Sequence, residues 1–284
     1  MKARPPRRHH TVPCLYLGRF RAMGVGGRHA QIWAFDAKGG AARLASVTNE
    51  CVERDFYASV ETILAEELDT PDISLLLDRI ESGGASALTG DEIGWVIYYV
   101  AFQLARTPST RETANHIFRA AGQSQPRQIS EHLMMMVVTA NSIFAELCSM
   151  KLLIVIAPPG SYFITSDCPV AYGPFLDGDA ESFGLRHDVV AFPLSPKTAM
   201  LMSNDFPTQG YLEVGSTSAG KLEEMVRNTN RLIARRCDRR LYSDHQQAPS
   251  DLNLSFPLER FRRTTQNLGD GFTRVCDVLT SEVP

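Results

Sequence analysis

Two adjacent histidines, His9 and His10, stand near the start of the chain in Arg8-His9-His10-Thr11-Val12-Pro13-Cys14-Leu15-Tyr16-Leu17-Gly18-Arg19-Phe20. Imidazole binds metal ions, exchanges protons near neutral pH and, when charged, donates to a phosphate. In an extended segment neighbouring side chains point to opposite faces. His10 is therefore read as facing a pocket and His9 as bracing it. A second set, Glu92, Tyr99, Gln103 and Arg106, shares one stripe of a predicted helix. The apolar face of that helix is Ile93, Val96, Ile97, Val100 and Leu104, so Gln103 and Arg106 border buried surface. A buried arginine at a helix end demands a carboxylate, a phosphate or carbonyl groups. Arg106 would hold an anionic group of a substrate, cap its own helix or pair with Asp167. Asp167, in Thr165-Ser166-Asp167-Cys168-Pro169, follows a predicted strand and precedes a proline. That place suits a metal ligand or general base. It also suits an Asx-turn, with the carboxylate capping its own backbone amides.

Together these residues predict a pocket between a helical half and a sheet half. His10, Asp167, Arg106 and Gln103 are its candidate catalytic residues, with His9, Glu92, Tyr99 and Ser166 contacting substrate. His10 and Asp167 are the candidate ligands of a divalent metal. Such a set serves hydrolysis of a phosphate or acyl bond in a small anionic substrate, assisted by the metal. In a non-enzymatic alternative, a binding module, the same residues only hold the elements together.

Other residues carry less. Ser195 lacks a Gly-x-Ser-x-Gly elbow and a base. His132, Thr139 and Glu146 share a face of an apolar helix and read as core. His29, His116, His187 and His245 lie in ordinary contexts, and Met134-Met135-Met136 reads as core filling. The basic run Arg235-Arg236-Cys237-Asp238-Arg239-Arg240 could bind an anion or offset a helix C-terminal dipole. No Gly-rich phosphate loop or dinucleotide fingerprint appears, so a nucleotide cofactor is not expected.

The first block resembles the opening of the bacterial domain of unknown function 4238 family, which begins His-His-x-Val-Pro-x-x-Tyr-Leu-x-x-Phe. Three further blocks fit that family in the same order: Phe102-Gln103-Leu104-Ala105-Arg106-Thr107-Pro108, Phe163-Ile164-Thr165-Ser166-Asp167-Cys168-Pro169-Val170 and Phe192-Pro193-Leu194-Ser195-Pro196. The resemblance spans a whole domain and brings no known activity with it. At Cys14 and Cys168 the family pattern usually has other residues, which argues against an essential thiol. A His-His dipeptide ahead of an apolar-proline run also resembles the first strand of His-Asn-His endonucleases, where one histidine activates water and a later one binds the metal. Asn49 is the only asparagine in reach and no histidine follows it before His116, so that motif is incomplete. It supports a nuclease-like, nucleic-acid-binding alternative.

Ala30 to Phe35 alternates as a strand does, Ala37-Lys38-Gly39-Gly40 supplies turn chemistry, and Ala42 to Val47 returns, giving an N-terminal β-hairpin. Helical spacing follows over Val60 to Leu68, Ile73 to Ile80, Thr89 to Arg106 and shorter material to Ala121. Thr89 with Glu92 reads as a capping box, and Thr107-Pro108 ends that helix. A long helix from Ile129 to Met150 is apolar almost all round and is expected at the centre of the core. Leu152 to Ile156, Tyr162 to Thr165, Val189 to Phe192 and Ala199 to Met202 read as strands of one mixed or antiparallel sheet. A helix from Ser218 to Arg236 and a strand from Arg240 to Tyr242 follow. The fold class is α+β, with a helical bundle in the middle.

The 284 residues, 44% hydrophobic and 21% charged, are those of an ordinary globular chain. They divide into a disordered basic arm over residues 1–8, one domain over 9–243 (helical half 58–150, sheet half 151–243) and a polar, proline-containing extension over 244–284. The net charge of -3 gives no global reason for a nucleic-acid partner. Lys2, Arg4, Arg7 and Arg8 in the arm leave one possible locally. No apolar run reaches the ~18 residues that cross a bilayer, so no membrane partner is expected. Six scattered cysteines without a C-x-x-C pair argue against a zinc site of usual spacing and a disulfide framework. The basic N-terminus lacks an apolar signal core, so the expected location is cytoplasmic.

Overall fold

Proline at position 13 sets the geometry of the N-terminal motif. Its backbone (φ -60°, ψ 140°) turns the chain from strand β1 (Arg8–His10) into a one-turn helix α1 (Cys14–Leu17) and a 3-10 turn (Gly18–Phe20). Tyr16, Leu17 and Phe20 then share one face and are fully buried, which accounts for the Tyr-Leu-x-x-Phe spacing. The computed structural model describes residues 8–22, 30–54, 68–83, 85–107, 110, 129–175, 181–182, 185, 188–207, 209–213, 217–269 and 272–280. Residues 1–7 of the expected basic arm, the helix expected over 60–67, most of the helical material expected up to Ala121 and the side chain of His9 lie outside them.

The expected hairpin is β2 (Gln31–Asp36) with β3 (Ala42–Ser46), paired from Gln31↔Ser46 to Phe35↔Ala42. Asp36 Oδ1 accepts the Lys38 N–H at 2.8 Å, and Gly40 closes the turn at φ 67°. A Cβ there would also meet the Phe256 ring, at 2.7 Å, so glycine is required twice over. Strand β4 (Val52–Arg54) returns antiparallel to β1.

Helices α2 (Pro71–Gly83) and α3 (Gly90–Ala105) follow. The capping box is formed: Glu92 N–H donates to Thr89 Oγ1, and Thr89 N–H donates to the Glu92 carboxylate at 2.8 Å. Helix α4 (Ile129–Cys148) packs Met136 and Ala140 against Phe102 and Ala105 of α3. Its apolar sequence predicted burial all round. Instead Met134 is 68% and Val138 58% exposed, because packing on one helix covers one stripe only.

The C-terminal half contributes β5 (Lys151–Ile156), β6 (Thr165–Ser166), β7 (Ala171–Gly173), β8 (Glu181–Ser182), β9 (Val189–Ser195), β10 (Thr198–Ser203) and β11 (Gly210–Leu212). Helix α5 (Ala219–Arg236), β12 (Arg240–Ser243), a short α6 (Ala248–Asp251) and the strands β13 (Arg260–Gly269) and β14 (Phe272–Thr280) complete it. Strands β11-β5-β10-β9-β7 form a mixed sheet, with only β11 and β5 parallel. Side chains alternate across it. Ile154, Met200, Phe192 and Leu194 face a core shared with α1, α2 and α3, while Val155, Leu201 and Ala191 face a core shared with α5. The fold is α+β.

One expected strand needs correction. Tyr162 to Thr165 is not a strand of that sheet. The Asn230 side chain takes the Ile164 N–H at 2.9 Å and donates to the Tyr162 carbonyl at 2.8 Å, so these groups are satisfied without a neighbouring strand. Only Thr165–Ser166 is extended, and it joins the N-terminal hairpin in the sheet β3-β2-β12-β6. The polar extension, in turn, carries the long antiparallel pair β13–β14. Arg236 pins it to the body through Asp277 (2.6 Å) and stacks over the Tyr172 and Phe261 rings. No helix of the described residues is long and apolar enough to cross a membrane.

The Tyr16 hydroxyl joins the two large sheets. It donates to the Pro193 carbonyl of β9 at 2.7 Å and bonds Thr165 Oγ1 of β6 at 2.8 Å, while the ring stacks on Phe192. Replacing Tyr16 by Phe strands a buried carbonyl and a buried hydroxyl. The expected loss is about 1–3 kcal/mol, read from urea unfolding of the full chain.

Candidate functional site

Arg106 caps α3 and is buried, with 1% of the residue exposed. Its Nη1 donates to both oxygens of Asp69 at 3.0 Å, and its Nη2 donates to the His10 carbonyl at 2.7 Å. The internal anion is thus Asp69, just ahead of α2, and not Asp167. Burial pushes the Asp69 carboxyl up, and the Arg106 charge opposes that rise. His10 serves this contact through its backbone. Asp69 carried no signal in sequence, since its match to Arg106 depends on how α2 and α3 pack.

One and two turns back along α3, Gln103 and Tyr99 are buried. Among the described residues neither amide atom of Gln103, nor the Tyr99 hydroxyl, has a hydrogen-bond partner. Such groups cost free energy unless something bonds to them. Glu92, expected at the same pocket, is elsewhere. It closes the capping box and accepts Arg79 at 2.5 Å, and Arg79 first, then the Thr89 amide, holds its carboxyl down at about 2. Ser166 is also committed, donating to the Cys168 carbonyl and accepting the Cys168 N–H.

Asp167 lies at a different point. Its Oδ1 accepts the Asp238 N–H at 2.9 Å and its Oδ2 accepts the Arg239 N–H at 2.7 Å, so it holds the turn between α5 and β12 and not its own backbone. Burial, and then the Asp238 charge, push its carboxyl up to about 6 against those two amide bonds. Beside it is a cleft of about 70 Å³ lined by Thr11, Cys51, Arg239, Arg240 and Tyr242. Glu50, 2% exposed, organises that cleft by accepting Arg43 (2.6 Å), Arg240 (2.9 Å) and the Tyr242 hydroxyl (3.0 Å). Cys51 has a positive φ of 51°, and its thiol donates to Tyr242. Burial and Asp167 push that thiol well up, so it is no ready nucleophile. Glu50, Cys51 and Tyr242 escaped sequence reasoning because tertiary contacts set them beside Asp167: the β12–β6 register for Tyr242, and the bonds to Thr11, Arg240 and Tyr242 for Cys51 and Glu50. Of the basic run, Arg236 is spent on Asp277, while Arg239, paired with Asp238 at 3.4 Å, and Arg240, paired with Glu50, reach the cleft, which Asp238 also lines.

Next along the same seam is a larger cavity of about 640 Å³. Cys14 and Arg19 of the N-terminal motif, Asp78 and Glu81 of α2, and Ser195 at the end of β9 line it. It therefore lies between helical and sheet elements. None of His10, Gln103, Arg106 or Asp167 is among its lining residues. Nor are three or more His, Cys, Asp or Glu side chains of the described residues placed to hold a metal ion.

Residues 8–247 match the family described as protein of unknown function (DUF4238). The chain belongs to that family. No curated protein and no solved structure matches it. Within this family member the matched residues contain the Arg106–Asp69 pair, the cleft and the cavity, and they end before β13 and β14.

Two outcomes test these contacts. Arg106→Lys loses the two-pronged contact with Asp69 and should lower stability by about 3 kcal/mol, read from urea midpoints. Folded Asp167 keeps a proton that the unfolded chain gives up near pH 4, so stability should fall as pH rises from about 4 to about 6 and then level off. Asp167→Asn should remove Asp167's share of that fall in a pH series of unfolding curves.

Proposed function

We propose that this protein is an enzyme that hydrolyses a small anionic substrate by acid–base catalysis at the Asp167 cleft. Asp167 transfers the proton, and the Arg239 and Arg240 guanidiniums contact the phosphate or carboxylate of the substrate. The observation that carries this reading is the Asp167 carboxyl itself. Raised to about 6, it has both protonation states accessible near neutral pH, as a general acid or base needs. Each of its oxygens accepts one amide and keeps acceptor capacity for a water. At about 70 Å³ the cleft has room for a water and the group it attacks, with the body of the substrate outside.

A second, non-enzymatic reading draws on the internal commitments of Arg106, Glu92, Ser166 and Asp167, which all hold backbone or a neighbouring element. The two separate in one experiment. Purified chain and Asp167→Asn are assayed against chromogenic phosphate and carboxylate esters across pH. The enzymatic reading expects turnover in the parent, an inflection in kcat/KM near pH 6 and a loss of about 10²–10⁴-fold in the variant. Absence of turnover, or equal turnover in a folded Asp167→Asn, leaves the binding-module reading.

A further inference from the structure

The larger cavity shares no lining residue with the Asp167 cleft. Arg19 forms its wall with a side chain that is only 9% exposed. Its Nε donates to the Leu194 carbonyl at 2.7 Å, and its two terminal nitrogens meet Asp78 at 2.6 Å and Glu81 at 2.9 Å. A guanidinium has five N–H groups, so this one is fixed in place with donors to spare. Glu81 gives one oxygen to Arg19. Its other oxygen, Oε1, is buried and accepts from no donor among the described residues. Arg21 also lines the cavity, is exposed and makes no ion pair among the described residues.

Each sign of charge is therefore present twice in one concave space. A lone anion there would face Asp78 and Glu81, and a lone cation would face Arg21. A molecule with both charges satisfies both sides, its ammonium at the Glu81 carboxylate and its anionic group at Arg21 and the remaining Arg19 donors. Leu15 and Val47 supply apolar wall between them. The volume, about 640 Å³, is in the range of small-ligand pockets. We propose that this cavity binds a small zwitterion, between a free amino acid and a dipeptide in size, whose apolar side chain lies on Leu15 and Val47.

The test is calorimetric titration of the full chain with apolar amino acids and dipeptides, each beside its N-acetylated and its carboxyl-amidated derivative. The expected result is saturable binding of at least one zwitterion. Loss of either charge should weaken it by about tenfold or more. Arg21→Gln, at an exposed position, and Glu81→Gln should weaken it similarly, with folding checked by circular dichroism. No binding across the panel would overturn the proposal. So would equal binding of the capped derivatives, or an affinity in the folded Arg21→Gln equal to that of the parent. Because the readout is binding and not turnover, this outcome is independent of hydrolysis at Asp167.

Discussion

The hydroxyl of Tyr16 is the contact on which the arrangement of the molecule depends. It reaches Thr165 in the sheet built on the N-terminal hairpin and Pro193 in the sheet at the centre of the core. A phenol buried among apolar side chains costs free energy unless it is bonded, and the two partners of Tyr16 lie on strands that share no ladder. The bond therefore does more than satisfy a polar atom. It ties α1 to the edge strand β6 of one sheet and to β9 of the other. The cleft and the cavity both open along the segment it holds, because Thr11 bonds the Cys51 carbonyl and the Cys14 thiol donates to the Val47 carbonyl on the same run of chain.

Arg106 works by a similar logic in the interior. A guanidinium this deeply buried is tolerated because a carboxylate and a carbonyl receive it. Its partners come from the turn before α2 and from β1, so one side chain fixes three segments. The same stripe of α3 carries Gln103 and Tyr99, whose polar atoms are buried without such partners. The helix thus joins one fully answered charge to two polar groups that are not answered by the described residues.

Chemistry and volume are divided between neighbouring places. The carboxyl raised to about 6 sits in a cleft of about 70 Å³, and the larger cavity has a balanced set of charges with no histidine among its lining residues. The seam between residues 11–19 and 47–52 brings the two side by side. Substitutions in the motif are consequently expected to act on both through the backbone.

Much of the architecture was legible along the chain. The hairpin turn at Asp36 to Gly40, the capping box at Thr89 and Glu92, and the amphipathic α5 rest on contacts within a few residues, where local chemistry decides the outcome. Of the family blocks, Thr11, Arg19, Asp167 and Ser195 line the cleft or the cavity. What could not be read was which polar group meets which. Asp69 answers Arg106, Asn230 answers the backbone at Tyr162 and Ile164, and Glu50 answers Arg240 across separations that no periodicity encodes. A sequence states which groups need partners. Only the packing of segments far apart in the chain decides who supplies them, because a hydrogen bond needs a partner near 3 Å and many residues along the chain have the right type.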